Sequence, residues 1–219
     1  MSFSDDEVER YARHLVLREV GGPGQQRLKA ARVLVVGAGG LGAPASLYLA
    51  AAGVGTIILA DPDEVDRSNL QRQVIYAEDD LHRPKVEAAA DRLHALNPHV
   101  FVAGFNGAFD EHSADELVDG VDLVLDGTDD FATRFAVNEA CVHEGVTLVS
   151  GAIGRWTGQV GVFAGQPCYR CLVPEIPPDA ETCQAVGVVG ALAGETRTVK
   201  VGADPDCPVC SDRLRKRRA

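Results

Sequence analysis

Four of the six cysteines form two pairs, each with the spacing Cys-x-x-Cys. One pair can place two thiolates on a tight turn, and two such turns complete the tetrahedral ligand set that zinc prefers. A redox-active thiol pair is the alternative, but the presence of two pairs favours zinc. We therefore predict a closed, structural zinc site with four cysteine ligands: Cys168, Cys171, Cys207 and Cys210.

Another cysteine, Cys183, stands apart from these pairs in a proline-rich stretch. An unpaired cysteine in such a loop is a candidate nucleophile, because the thiolate is a strong attacking group. An ordinary free thiol is the alternative.

A glycine-rich turn is the second pattern with chemical meaning. Residues 33–36 are apolar and run directly into Gly37-Ala38-Gly39-Gly40-Leu41-Gly42, followed by a predicted helix over residues 43–52. Without Cβ atoms the backbone can turn tightly and let a phosphate approach, and the helix N-terminus offers free N–H groups. A second strand ends at Asp61, about where this fold places a ribose-binding acid. The pattern alone fits NAD, FAD, S-adenosylmethionine or ATP.

Charged residues follow the predicted strands at their carboxyl ends. Residues 62–74 form a long polar loop that includes Arg72, and Lys85 opens the next predicted helix, where its charge opposes the helix dipole. An anion bound between Arg72 and Lys85 would account for that lysine. A later strand, residues 121–125, delivers Asp126, Asp129 and Asp130 to the same edge, although Asp130 could instead cap a helix. Carboxylates facing two cations suit a magnesium-bound triphosphate.

The elements that must position these residues predict an α/β fold: a Rossmann-like, doubly wound sheet, mostly parallel, with a C-terminal antiparallel extension. A capping box at Ser4 predicts a helix over residues 5–17, whose apolar stripe includes Val8, Tyr11 and Val16. We expect one domain over residues 1–219, divided into N-terminal helices (1–30), a nucleotide-binding core (31–150) and a zinc-bearing part (151–219).

Composition excludes several classes of function. The 219 residues are 46% hydrophobic and carry a net charge of −11, which argues against a nucleic-acid partner. No apolar run approaches the roughly 20 residues that a membrane crossing needs. The acidic N-terminus lacks the features of a signal peptide, so we expect a cytoplasmic protein.

Together these motifs resemble the ubiquitin-activating-enzyme-like (ThiF/MoeB/HesA) family, specifically the bacterial adenylyltransferases that activate sulfur-carrier proteins for molybdopterin and thiamine biosynthesis. The resemblance covers essentially the whole chain. Its motifs are Arg10-Tyr11-Ala12-Arg13, residues 37–42, Asp61-Pro62-Asp63, residues 68–73, Pro84-Lys85, Thr128-Asp129 and the two cysteine pairs.

The resemblance implies ATP-dependent adenylation of the C-terminal glycine of a small ubiquitin-like sulfur carrier that ends in Gly-Gly. It assigns Arg13 to the active site of a partner subunit, hence a homodimer. It implies that Asp129 places Mg²⁺, that Cys183 accepts the activated carrier or assists sulfur transfer, and that a separate protein donates sulfur. The implied catalytic residues are Arg13, Arg72, Lys85, Asp129 and Cys183; the implied nucleotide-binding residues are Gly37, Gly39, Gly40, Asp61, Asp63, Asn69, Arg72, Lys85 and Asp129.

Two departures from the family pattern stand out. Asp130 replaces the usual Asn. In addition, about 30 residues of the family pattern, roughly one βα unit, have no counterpart in this chain after Gly194. Because of these departures, a second function stays possible: a zinc-stabilised, non-catalytic binder of a ubiquitin-like tail. An NAD-dependent oxidoreductase is a further alternative, but it leaves Arg72, Lys85, Asp129 and the cysteine pairs without a role.

Overall fold

A computed structural model describes residues 2–154, 156–176 and 197–211. The chain divides into two compact units: Met1–Ala108 with Gly120–Asp122, and Phe109–Asp119 with Leu123–Ala219. Among the described residues, the first unit holds the strand run β3-β2-β1 and the second unit the run β4-β5-β6.

The first unit contains three parallel strands and the helices that connect them. Strand β1 (Arg32–Val36) pairs with β2 (Thr56–Ala60), and β2 pairs with β3 (Phe101–Phe105). The four apolar residues of β1 are all buried, as expected for a parallel strand that is covered on both faces. The helices of this unit are α1 (Asp5–Arg10), α2 (Ala12–Leu15), α3 (Gly21–Ala30), α4 (Gly42–Ala52) and α5 (Lys85–Leu96).

The predicted N-terminal helix over residues 5–17 is wrong in its extent. The capping box is present, since Ser4 and Glu7 exchange hydrogen bonds of 3.2 and 2.9 Å, but the helix breaks at Tyr11. The phenol of Tyr11 is buried and accepts a hydrogen bond from Asn97 Nδ2 at 2.8 Å. The break falls at the residue that this distant contact holds, and Val8 and Val16 are exposed rather than packed.

The second unit carries the antiparallel part of the sheet. Strand β4 (Leu123–Asp126) pairs in parallel with β5 (Thr147–Ile153), and β5 pairs antiparallel with β6 (Gly158–Phe163). The unit also contains α6 (Ala114–Val118), α7 (Phe131–Glu144) and α8 (Tyr169–Leu172). The predicted mixed, Rossmann-like sheet with a C-terminal antiparallel extension is therefore confirmed. No helix within the described residues is both long and apolar enough to cross a membrane.

Candidate functional site

The glycine-rich turn after β1 closes on itself. Gly37 has a φ of 87°, in the region that favours glycine, and its N–H donates to Ala60 O at 2.8 Å. A Cβ added at Gly42 would lie only 1.8 Å from Gly37 O. Position 42 therefore requires glycine for the turn to form, whereas Cβ atoms at Gly39 and Gly40 would meet only ordinary side-chain contacts. The sequence indicated the turn but did not single out Gly42.

Asp61, at the end of β2, holds this turn in place. One carboxylate oxygen accepts from Ala38 N at 2.7 Å and the other from Asp63 N at 2.8 Å. Burial raises the pKa of Asp61, and the Lys85 charge and the two amide hydrogen bonds oppose that rise. The contacts thus show Asp61 organising the turn; binding of a ribose by Asp61 remains a prediction.

Tyr76 contacts the same peptide from the other side. Its buried hydroxyl donates to Ala38 O at 2.8 Å, so both polar groups of the Ala38 backbone are held. Burial raises the pKa of Tyr76 far above its usual range, so the phenol stays a donor. No sequence pattern pointed to Tyr76, because the contact joins residues 38 positions apart.

Lys85 is buried at the start of α5, and its charge is met within the chain. Its Nζ donates to Asp63 Oδ2 at 2.7 Å and lies 3.9 Å from Asp61 Oδ1. Lys85 N also donates to Asp63 O at 2.9 Å. The lysine side chain is 5% exposed and that of Asp63 64%, so the pair has one buried and one accessible end. A counter-charge from Asp63, which the sequence did not reveal, thus accounts for a cation in the first turn of the helix.

Asn69, Arg72 and Gln73 form a small polar cluster beside the glycine turn. Arg72 donates to Ser68 O and to Asn69 Oδ1, each at 3.3 Å, and its side chain lies within 3.6 Å of a Cβ built at Gly40. Gln73 Nε2 donates to Asn69 Oδ1 at 2.9 Å. The structure therefore brings the predicted residues Gly40, Asn69 and Arg72 together, and adds Gln73.

The acidic loop after β4 belongs to the second unit. Asp126 is buried and accepts from Thr128 N, Thr128 Oγ1 and Ser150 Oγ at 3.0, 2.7 and 2.7 Å, so it organises the loop. Arg134 donates to Thr128 O and also holds this loop. Asp129 is exposed, so its carboxylate is accessible to a metal ion.

Asp130 is the N-cap of α7. Its Oδ1 accepts from Ala132 N at 2.9 Å and from Thr133 N at 3.1 Å. Asp and Asn serve this position about equally well. The replacement of the usual Asn by Asp is therefore compatible with the local structure.

The four cysteines of the predicted zinc site lie together. All their sulfur atoms are within 4.8 Å of one another, with Cys168 to Cys207 at 3.6 Å and Cys171 to Cys210 at 3.4 Å. These separations exceed a disulfide bond of about 2.05 Å and approach the roughly 3.8 Å between sulfurs of a tetrahedral zinc site. This four-cysteine cluster has the donor set to hold a metal ion.

Neighbouring groups donate hydrogen bonds to the cluster sulfurs, including Gln166 Nε2 to Cys210 Sγ at 3.8 Å. Asn138 Nδ2 on α7 donates to Cys168 Sγ at 3.6 Å, and Asp204 N donates to Cys171 Sγ at 3.5 Å. Hydrogen bonds to ligand sulfurs stabilise thiolates and fix their direction. Asn138 and Asp204 could not be connected with the cysteines from sequence spacing.

Two predicted site residues belong neither to the region of the glycine turn nor to the four-cysteine cluster. Arg13 is exposed on the short helix α2. Cys183 and the position after Gly194, where we expect about 30 residues to lack a counterpart, lie outside the described residues.

The fold and the glycine turn define a Rossmann-like nucleotide-binding protein with a four-cysteine cluster. The ThiF family model matches residues 11–197, and the chain belongs to the ThiF family. This membership confirms the predicted class, a ThiF/MoeB-like adenylyltransferase.

Several relatives are named for their function. The chain is 40% identical to the SAMP-activating enzyme E1 of Haloferax volcanii, over 97% of this chain and 92% of that protein. It is 46% identical to the molybdopterin-synthase adenylyltransferase of Escherichia coli, over 87% and 78% respectively. It is 47% identical to the probable adenylyltransferase/sulfurtransferase MoeZ of Mycobacterium tuberculosis, over 90% of this chain but only 53% of MoeZ, about half its length.

A solved structure agrees with the fold. Escherichia coli MccB in complex with MccA-N7isoASN superposes with a TM-score of 0.76 over 96% of this chain and 76% of that chain. At 22% identity, this likeness shows the fold alone.

The alignment with the Haloferax enzyme also bears on chain length. It spans 248 residues, whereas this chain has 219, so at least 29 aligned positions of that relative have no counterpart here. The expected absence of about 30 residues after Gly194 stays a prediction.

Proposed function

We propose that this chain uses ATP to adenylate the C-terminal glycine of a small ubiquitin-like sulfur carrier, releasing pyrophosphate, as a step of molybdenum cofactor or thiamine biosynthesis. The observation that carries the proposal is the glycine turn of a ThiF-family chain with Arg72 and the buried Lys85 at its side. The family relatives named for sulfur-carrier and molybdopterin-synthase adenylation give the substrate class.

The residues suggest how the chain would bind the nucleotide. Gly39 and Gly40 leave the backbone open to the phosphates, Asn69 and Arg72 bind them beside Gly40, and Asp61 keeps the turn in shape. A triphosphate would replace Asp63 as the partner of Lys85. Because Asp63 is the accessible end of that pair, the exchange does not strand a buried carboxylate.

The reaction needs cations where charge develops. The carrier's terminal carboxylate attacks the α-phosphorus, and negative charge grows on the phosphoryl oxygens and on the leaving pyrophosphate. Arg72 and Lys85 supply fixed positive charge for that change. Mg²⁺, which we assign to Asp129, would neutralise phosphate charge when bound. Zn²⁺ in the four-cysteine cluster would be structural.

Assembly is part of the proposal. Arg13 is exposed on α2, as an arginine that acts on a neighbouring subunit must be. We propose a homodimer in which Arg13 completes the partner's site, and a separate protein as sulfur donor. Adenylation needs no protein nucleophile, so we propose that Cys183 acts only after it, in transfer of the carrier or of sulfur.

A second candidate is a zinc-stabilised binder of a ubiquitin-like tail without adenylation activity. The aligned positions that this chain lacks relative to the Haloferax enzyme, at least 29, favour it. Loss of that much sequence could remove sheet or surface that a carrier needs.

The deciding experiment is exchange of labelled pyrophosphate into ATP, with the purified chain and candidate carriers ending in Gly-Gly. We expect exchange with one carrier, loss of exchange in Arg72→Ala, and unchanged circular dichroism in that variant. Binding of a carrier by calorimetry without any exchange would support the non-catalytic binder instead. Full exchange in Arg72→Ala would contradict the site assignment.

A further inference from the structure

The side-chain oxygen of Asn69 accepts two hydrogen bonds, one from Arg72 Nη2 at 3.3 Å and one from Gln73 Nε2 at 2.9 Å. A guanidinium group can only donate, so the atom of Asn69 that faces Arg72 must be the oxygen. The atom of Gln73 that meets the same oxygen must then be its amide nitrogen. These contacts fix the orientation of both amide groups.

Gln73 keeps this orientation at a cost. Its side chain is buried, with 3% exposure, and among the described residues its Oε1 has no hydrogen-bond partner. A buried acceptor without a donor is unfavourable. Turning the amide over would set two oxygens against each other at Asn69, so the contact with Asn69 decides the orientation.

The backbone holds the same three residues together beside the nucleotide turn. The main-chain amides of Arg72 and Gln73 both donate to Asn69 O, at 3.1 and 2.9 Å. Gln73 Nε2 would lie 3.6 Å from a Cβ built at Gly39. The cluster is therefore anchored next to the glycines where phosphates are expected.

We propose that Gln73 is a positioning residue for nucleotide binding. It holds the oxygen of Asn69 toward Arg72 and itself, and so leaves the Asn69 NH₂ group, a donor, available to the negatively charged phosphates. This inference rests on the proposed function, because it takes ATP as the ligand of the cluster.

Gln73→Glu is the sharpest test, because glutamate has nearly the same size but, when ionised, can only accept. Asn69 must then turn its NH₂ group toward position 73. This rotation directs the Asn69 oxygen at the phosphates and removes the acceptor that Arg72 uses. We expect the Kd for ATP to rise about tenfold or more. In pyrophosphate exchange the KM for ATP should rise more than kcat falls.

Two further variants separate orientation from charge and packing. Gln73→Met removes the donor at position 73 without putting an acceptor in its place, so we expect a smaller rise in the Kd for ATP, about threefold. Gln71→Glu adds the same charge at an exposed position two residues away, and its Kd should stay within about twofold of the wild type.

A second readout tests the geometry without ATP. The side-chain amide resonances of Asn69 in nucleotide-free protein should shift in both Gln73→Glu and Gln73→Met, and stay in place in Gln71→Glu. Unchanged resonances together with wild-type ATP affinity in both position-73 variants would overturn the inference. Wild-type chain that binds ATP but exchanges no pyrophosphate with any carrier would contradict the proposed function alone. Wild-type chain that binds no ATP would contradict both.

Discussion

The glycine turn and the four-cysteine cluster represent two different ways of building a site. The turn depends on backbone approach and on contacts between distant residues: Gly42 against Gly37 O, and Asp61 and Tyr76 on the two sides of the Ala38 peptide. The cluster depends on four identical side chains that two short segments bring together. The glycine turn is therefore an outcome of the fold, whereas the four-cysteine cluster can stabilise its own region of the chain once a metal binds.

Removal of one cysteine of the cluster should have the largest effect. In Cys207→Ser we expect bound zinc to fall from about one equivalent to a small fraction, because zinc binding in small cysteine sites is worth on the order of 10 kcal/mol and is coupled to folding. Metal analysis of the purified chain measures the zinc content, and thermal unfolding measures the loss of stability.

Cys141→Ala is the matched control for that experiment. Cys141 is a buried thiol on α7 that is not part of the cluster. We expect it to lose some packing but to keep its zinc. Stoichiometric zinc in Cys207→Ser would show that the cluster is not the metal site.

The two sites also differ in how far the sequence could predict them. The four-cysteine cluster was predictable because Cys-x-x-Cys turns are local, although its supporting residue Asn138 was not. The glycine turn was also predictable as a motif. The pairing of Lys85 with Asp63 was not, because a lysine in the first turn of a helix is equally compatible with a bound anion.

The N-terminal helix shows the same limit. The capping box at Ser4 is a local signal and was predicted, but the helix breaks at Tyr11, whose hydroxyl is bound by Asn97, 86 residues away. Similarly, the residue types at positions 69 and 73 do not reveal which amide atom faces which partner. Local motifs can be predicted from the sequence, whereas the contacts that orient their side chains depend on the tertiary structure.

A methyl group at Gly42 should destabilise the glycine turn, with the next largest effect. Its Cβ would collide with backbone rather than with an adjustable side chain, so we expect Gly42→Ala to lose about 3 kcal/mol or more of unfolding free energy. Denaturant unfolding followed by circular dichroism measures this.

Gly39→Ala is the contrasting variant. Its Cβ would meet only Gln73 Nε2 at 3.6 Å, so the free energy of unfolding should change by less than about 1 kcal/mol. If Gly39 lets a phosphate approach the backbone, this variant should nevertheless bind ATP more weakly. A loss of less than about 1 kcal/mol in Gly42→Ala would instead mean that the turn tolerates a side chain at position 42.

The smallest effect is expected for Asp130→Asn, a substitution that restores the usual residue of the family. Because Oδ1 alone accepts both amide hydrogen bonds of the cap, Asp130→Asn keeps both, and the lost charge at the helix N-terminus costs about 0.5 kcal/mol. Denaturant unfolding measures that difference.

The same reasoning predicts that Asp130→Asn changes the Mg²⁺-dependent affinity for ATP by less than about threefold, since the carboxylate is engaged by the helix it caps. The neighbouring variant Asp129→Asn alters an exposed carboxylate, so it should weaken that affinity clearly more. Titration of ATP with and without Mg²⁺ compares the two. If Asp130→Asn instead strengthened ATP binding many-fold, the charge at position 130 would act on the nucleotide, and the departure from the family pattern would be functional rather than a neutral exchange of caps.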